Sequence, residues 1–314
     1  MVRKVKDMTN LKNVDNDRRG TLTKSMLSQR LKRRKWKRFL LYLTVFLICL
    51  CILAPYTWLI ISSISYRVDL TAIPLHWIPQ KINVENYQQI FSSTANSSSP
   101  NRDLRYGFLN SLIIAGSSTL ICLFAGTFAA YAFTRLNFKG KKSLYLLILI
   151  TQFLPLAVLI IPLYIIMKNL GLLNTRLALI LANCSFILPL MVWLMRSYFT
   201  SVPKDLEEVA RIDGCSRFGT IFRIIIPLST PGLAACGIFA FIIAWNEFFT
   251  AFILSSTLNS KTISVLLSEF SSKVGIDYVA MASAGVIASL PPVVMALVFQ
   301  KYIVQGLTGG AVKG

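Results

Sequence analysis

Six apolar runs, residues 39–62, 108–134, 143–167, 177–198, 232–255 and 281–299, set the strongest limit on what this 314-residue chain can become. At about 1.5 Å per helical residue, each is long enough to cross a hydrocarbon layer about 30 Å thick. No water satisfies backbone N–H and C=O groups inside lipid, so each run must close its own hydrogen bonds as a helix. With 54% of its residues hydrophobic, the chain is too apolar for a soluble domain. The reading is an all-α polytopic membrane protein with six transmembrane helices. The second run carries Ala115-Gly116-Ser117-Ser118 and Ala125-Gly126-Thr127, small residues that let helices approach closely in lipid. Pro155, Pro162, Pro189, Pro291 and Pro292 interrupt other runs, which predicts kinked helices facing protein or a water-filled path.

The net charge of +20 lies at the membrane edges. With a cytoplasmic amino terminus, the inner segments 1–38, 135–142, 196–226 and 301–314 hold 25 of the 33 Lys and Arg, and the spans hold none. This is a positive-inside distribution, and it makes both termini cytoplasmic. Residues 1–38 alone carry 14 basic residues against three Asp. Such a tail is expected to lie on the anionic inner leaflet, each cation near the surface contributing about 1 kcal/mol, so the charge does not call for nucleic acid. The run 39–62 is longer than a signal peptide's apolar stretch and is expected to stay as an anchor. The chain then divides into a basic tail (1–38), a first helix (39–62), an extracytoplasmic segment (63–107), a five-helix core (108–303) and a carboxyl-terminal tail (304–314). The six cysteines fall in apolar runs or on the inner side, which argues against an external disulfide framework. His76 stands alone among polar loop residues, and no metal site is expected.

A long polar connection between spans, 201–231, is predicted to lie in the cytoplasm. Asp205, Glu207 and Glu208 follow Pro203 and suit the positive end of a helix dipole. Leu206, Val209 and Ala210 recur at helical spacing, and Gly214 breaks the run. A second stripe, Phe218, Ile221, Phe222 and Ile225, follows at i, i+3, i+4, i+7. The expectation is two short amphipathic helices meeting at a glycine and stopped by Pro227.

At these residues the chain resembles the permease subunits of binding-protein-dependent ABC importers. Their cytoplasmic loop reads E-A-A, three residues, G, nine residues, I-x-L-P, and Glu208-Val209-Ala210, Gly214, Ile224, Ile226 and Pro227 fall on it in register. Val209 and Ile226 replace an Ala and a Leu. The resemblance implies a type I importer permease fold whose loop, through Leu206, Glu207, Glu208, Val209, Ala210, Arg211, Asp213, Gly214 and Phe218, docks into a separate ATPase, with Pro227 and Pro231 as hinges. It also implies the inner membrane of a bacterium, a second homologous permease, two ATPase subunits that bind ATP and magnesium, and an extracytoplasmic solute-binding protein. Within the family, Trp245-Asn246-Glu247-Phe248 and the stretch 302–314 look like the carbohydrate-uptake branch typified by the second maltose permease subunit. There the glycine-rich carboxyl terminus, here Gly309, Gly310, Lys313 and Gly314, can reach the ATPase dimer.

The spans hold one acid, Glu247, about 22 Å from the inner surface on a straight helix from Gly232. A carboxylate in a membrane helix costs several kcal/mol unless it meets water or a partner. Two readings stand at this point, a wall or gate of the translocation path and a carboxylate hydrogen-bonded to a neighbouring helix. Gln152, Asn183, Trp245, Asn246 and Phe248 join it as path candidates. The sequence has no G-x-x-x-x-G-K-[ST] phosphate loop and no paired carboxylates, so the chain is expected to bind no cofactor and to draw energy from its partner. A sugar path wants aromatic faces and neutral polar groups. Importers of another solute, such as a polyol, glycerol phosphate or peptide, and a polytopic enzyme or channel are the rival readings. The last would need a catalytic cluster, and Glu247 alone is not one.

Overall fold

The computed structural model describes residues 34–91, 100–269 and 277–309, and no strand occurs among them. The chain divides into two units, 1–58 and 59–314. In the first unit, helix α1 (Arg34–Ser63, continuing into the second) keeps its apolar side chains outward. The hydroxyls of Thr44 and Thr57 donate to the carbonyls of Leu40 and Leu53, one turn back, so the outward helix leaves no free donor there. Its helical path already includes Arg34 to Arg38, so helix geometry begins inside the basic tail rather than at residue 39.

The second unit holds α2 (Arg67–Thr71), α3 (Glu85–Phe91), α4 (Pro100–Arg135), α5 (Lys141–Ile150), α6 (Leu156–Asn169) and α7 (Arg176–Ser201). After these come α8 (Asp205–Ile212), α9 (Arg217–Thr220), α10 (Ile226–Leu228), α11 (Thr230–Asn246), α12 (Phe249–Leu254), α13 (Ile263–Glu269) and α14 (Tyr278–Gly309). Helix α4 packs on α7 and α11, and α11 in turn packs on α14. The core they share sets small or flexible side chains among larger ones: Ala115, Cys122, Ala130, Met191, Met195, Cys236, Ala240 and Ala284 cluster with Ile187, Phe199, Phe241 and Trp245. Lipid tails are as apolar as leucine, so burial alone gives no gain here and close packing holds the helices together. A Cβ on Gly232 would lie 2.5 Å from the Tyr198 ring, and one on Gly126 3.1 Å from Met191 Cβ.

Two of the expected spans are broken, the first at a proline where a kink is expected. Residues 143–167 form α5, a single 3₁₀ turn at Thr151–Phe153, and α6, with 102° between the two halves. Pro155 has no N–H to continue the ladder and holds Leu154 extended at ψ 122°. Residues 232–255 are likewise not one helix, since α11 ends at Asn246 and Glu247 is extended at ψ 120°. Counting the α5–α6 pair as one crossing, and Arg217–Leu228 together with α11 as another, gives up to six spans by length and composition.

At the end of the bundle away from the polar loop, a buried amide fixes the chain between α12 and α13. Asn110 donates to the carbonyls of Leu258 and Lys261 at 2.9 Å each and accepts from Arg176 Nε at 2.8 Å. Ser111 accepts the Ile263 N–H at 2.9 Å, so α13 is docked on α4 through backbone polar groups as well as packing.

Candidate functional site

The α7–α11 connection forms a compact elbow. Helix α7 ends at Ser201, and α8 starts at Asp205 with Lys204 as its flanking residue, two positions beyond Pro203. Its end is a Schellman motif: Cys215 N–H bonds to Ala210 O at 2.9 Å, and Gly214 N–H to Arg211 O at 3.2 Å. That geometry places Gly214 at φ 84°, a conformation glycine adopts without the strain a Cβ would add. Ser216 then caps α9, accepting the Gly219 N–H at 3.1 Å. The second helix is not stopped by Pro227, contrary to the sequence expectation. A widened π turn, with Ile226 N–H bonded to Ile221 O, carries the chain past it into α10. The turn falls instead at Ser229, where the axis bends by 79° between Pro227 and Pro231.

Each residue expected in the docking loop has a definite side. Leu206, Val209 and Phe218 are exposed, as are Glu208, Arg211, Asp213 and Gly214. Ile212 is 84% exposed and extends the same apolar strip. Ala210 is buried against the body, and Glu207 points inward. Neither faces outward, because α8 rests on the protein by that side. Glu207 forms an ion pair with Arg135 at the end of α4, the two side chains being only 12% and 6% exposed. Tyr131 donates to the same carboxylate at 3.3 Å, and Arg135 donates to Val202 O at 2.7 Å. On the neighbouring helix, Phe218 and Phe222 lie 6.4 and 6.1 Å from the Phe128 ring of α4. Both arms of the elbow therefore bear on α4.

The path candidates separate in the same way. Trp245 is 3% exposed, and its indole N–H donates to Ala288 O at 3.0 Å. Pro292 has no N–H to give that carbonyl, so the indole replaces the missing helix bond and ties α11 to α14. Asn183 is 4% exposed and sits within the chain's own packing. These two are enclosed and line no surface of this chain. Gln152 is exposed and donates to Phe186 O at 2.9 Å, three residues before Pro189. Asn246 and Phe248 are exposed at the break after α11, with Phe248 stacked on Phe252 at 5.4 Å. Glu247, half-buried there, accepts the N–H groups of Thr250 and Ala251 at 2.7 and 3.1 Å and so caps the first turn of α12. Gly309 is the last residue of α14, while Gly310, Lys313 and Gly314 lie outside the described residues.

Residues 122–309, which include the whole elbow, match the family described as the binding-protein-dependent transport system inner membrane component. The chain belongs to that family. Among relatives of this permease, the trehalose/maltose transport system permease protein MalG of Thermococcus litoralis is 37% identical over 88% of this chain and 98% of its own length. The sulfoquinovosyl glycerol transport system permease protein SmoH of Agrobacterium fabrum is 34% identical over 83% of this chain and 89% of its own length. A crystal structure of a bacterial ABC transporter involved in the import of the acidic polysaccharide alginate contains a chain of the same fold. It has a TM-score of 0.69 and 22% identity, covering 83% of the permease and 94% of that chain. The permease thus has the fold of ABC importer permeases, and its relatives are permease subunits of transport systems.

Sequence reasoning missed Arg135 and Tyr131, which anchor the permease's elbow from a different helix. Both lie at the end of an apolar run, where an arginine reads as an ordinary membrane-edge cation. The usable signal was the third acid in the loop, since three carboxylates in one short helix leave one free to turn inward.

Proposed function

We propose that this permease is the transmembrane subunit of an ATP-driven importer of a di- or oligosaccharide or a glucoside, and that the α8–α9 elbow is where a separate ATPase subunit drives it. The observation carrying this reading is the outward apolar strip Leu206, Val209, Ile212 and Phe218 on an elbow whose inner side is pinned to α4 by Arg135 and Glu207. An exposed apolar strip on a polar loop marks a partner surface. The pinned inner side passes its displacement to the helix at the centre of the bundle. The partners are a related second permease, two ATPase subunits that hold ATP and magnesium, and a solute-binding protein on the other side of the membrane. Both termini and the elbow are cytoplasmic. Closure of the ATPases moves the elbow and shifts the helices between inward-open and outward-open states. The shift cannot exceed the ATPases' differential affinity for the two states. The trehalose/maltose system of one relative and the absence of Lys or Arg from the sequence's apolar runs both favour a neutral, hydroxylated solute.

The test is uptake of labelled trehalose, maltose and sulfoquinovosyl glycerol by cells carrying the full transport system, combined with cross-linking from Ile212→Cys. Saturable uptake of a saccharide and capture of a nucleotide-hydrolysing subunit are expected. Uptake confined to peptides or phosphate esters would overturn the substrate class, and no capture would overturn the docking.

A further inference from the structure

A cavity of about 340 Å³ opens beside the elbow, between the end of α4, the start of α5 and the end of α7. Its lining includes Arg135, Lys141, Arg196 and Lys204 and contains no acid. The cations come from separate parts of the chain and are held in place. Arg135 donates to Val202 O, Lys141 Nζ donates to Leu136 O at 2.7 Å, and Arg196 lies 4.2 Å over the Tyr145 ring. Carbonyls and an aromatic face orient these groups without cancelling their charge. Glu207 offsets Arg135 from outside the lining, leaving three cations without a carboxylate. The adjoining cavity of about 270 Å³ differs, because Glu207 and Glu208 both line it. The ends of α4 and α7 at the basic cavity are ends of membrane-length apolar helices, and the start of α5 opens a bent apolar pair of comparable total length, which places the cavity at headgroup depth.

We propose that this cavity is a binding site for a phosphate-type anion, filled from the bilayer by the headgroup of an anionic phospholipid or from solution by a free phosphate. Basic pockets between helix ends take such headgroups, and an arginine suits the tetrahedral oxygens better than a point charge does. Arg135 is common to the cavity and to the Glu207 pair, so a bound anion and helix α8 contend for one guanidinium. The proposal rests on the family's membrane placement of these helix ends and not on the docking of an ATPase, and its readout involves neither ATP nor uptake.

The experiment uses the full-length permease purified with its partner subunits, in nanodiscs of mixed phosphatidylglycerol and phosphatidylcholine, with retained lipid read by native mass spectrometry. Wild-type protein is expected to retain phosphatidylglycerol preferentially, and the Lys141→Gln, Arg196→Gln double variant to lose about tenfold of that preference. Exposed Lys204→Gln, which cannot disturb packing, is expected to lose a smaller part. In a second arm, inorganic phosphate is titrated in phosphatidylcholine nanodiscs while thermal unfolding is followed. A shift present in wild type and absent in the double variant assigns the site to a soluble phosphate. Retention of both lipids in equal measure with no phosphate shift would overturn the proposal, including the case where an acidic segment of a partner fills the cavity.

Discussion

At the scale of single residues, the two neighbouring acids of α8 do different work. Glu207 is buried with Arg135, so Glu207→Ala leaves an enclosed guanidinium unpaired and is expected to cost about 3 kcal/mol, read as a lower unfolding midpoint in detergent. Arg135→Leu combined with Glu207→Leu removes both charges and is expected to regain most of that loss. Exposed Glu208→Lys is expected to change stability by less than about 0.5 kcal/mol, yet to lower uptake by uncoupling ATP hydrolysis. Equal effects of the two single changes on unfolding would contradict this division. Trp245 offers a second residue-scale test. Trp245→Phe leaves Ala288 O without a donor and is expected to cost about 1–3 kcal/mol. With Pro292→Ala, which restores a backbone N–H to that carbonyl, the same change is expected to cost clearly less. A thermal double-mutant cycle measures the difference. The acids and the tryptophan were all legible as unusual positions in the sequence. Their partners, Arg135 and a carbonyl freed by a proline, were not, since both pairings join residues more than forty positions apart.

At the scale of elements, the elbow was readable in outline: Gly214 as the break, acids at the first helix's start, and an apolar stripe on the second. Its bend was not. Pro227 is a helix breaker by composition, but the π turn before it absorbs the missing bond, and the bend moves to Ser229. Gly214→Ala, forced to keep φ near 84°, is expected to cost about 1 kcal/mol while leaving membrane insertion intact, as checked by expression level and unfolding. The helix interface is more exacting. Gly232→Ala drives a Cβ into the Tyr198 ring and is expected to destabilise the α7–α11 contact by about 1–3 kcal/mol. Pairing it with Tyr198→Ala is expected to relieve part of that loss, and no loss in the single variant would show that the helices adjust freely.

At the scale of the whole molecule, a pinned elbow and a bundle centred on α4 predict that force enters through one helix. Phe222→Ala removes an aromatic contact with Phe128 while leaving the Glu207 pair and the outward strip with Phe218 in place. Uptake is expected to fall several-fold with the protein still inserted and the ATPase still bound, as measured by transport and co-purification; unchanged uptake would show that the ion pair alone carries the load. The helical class, the apolar runs of membrane length, the polar elbow between the fourth and fifth of them, and the family were all determined by the sequence. Membrane-length runs and a fixed spacing of acid, glycine and proline are local properties, and lipid leaves the backbone little choice but helix. The inward turn of Glu207 and the enclosure of Trp245 and Asn183 were decided only by tertiary structure. Each depends on which distant group can supply a missing hydrogen bond or countercharge, and one-dimensional spacing contains no such distance.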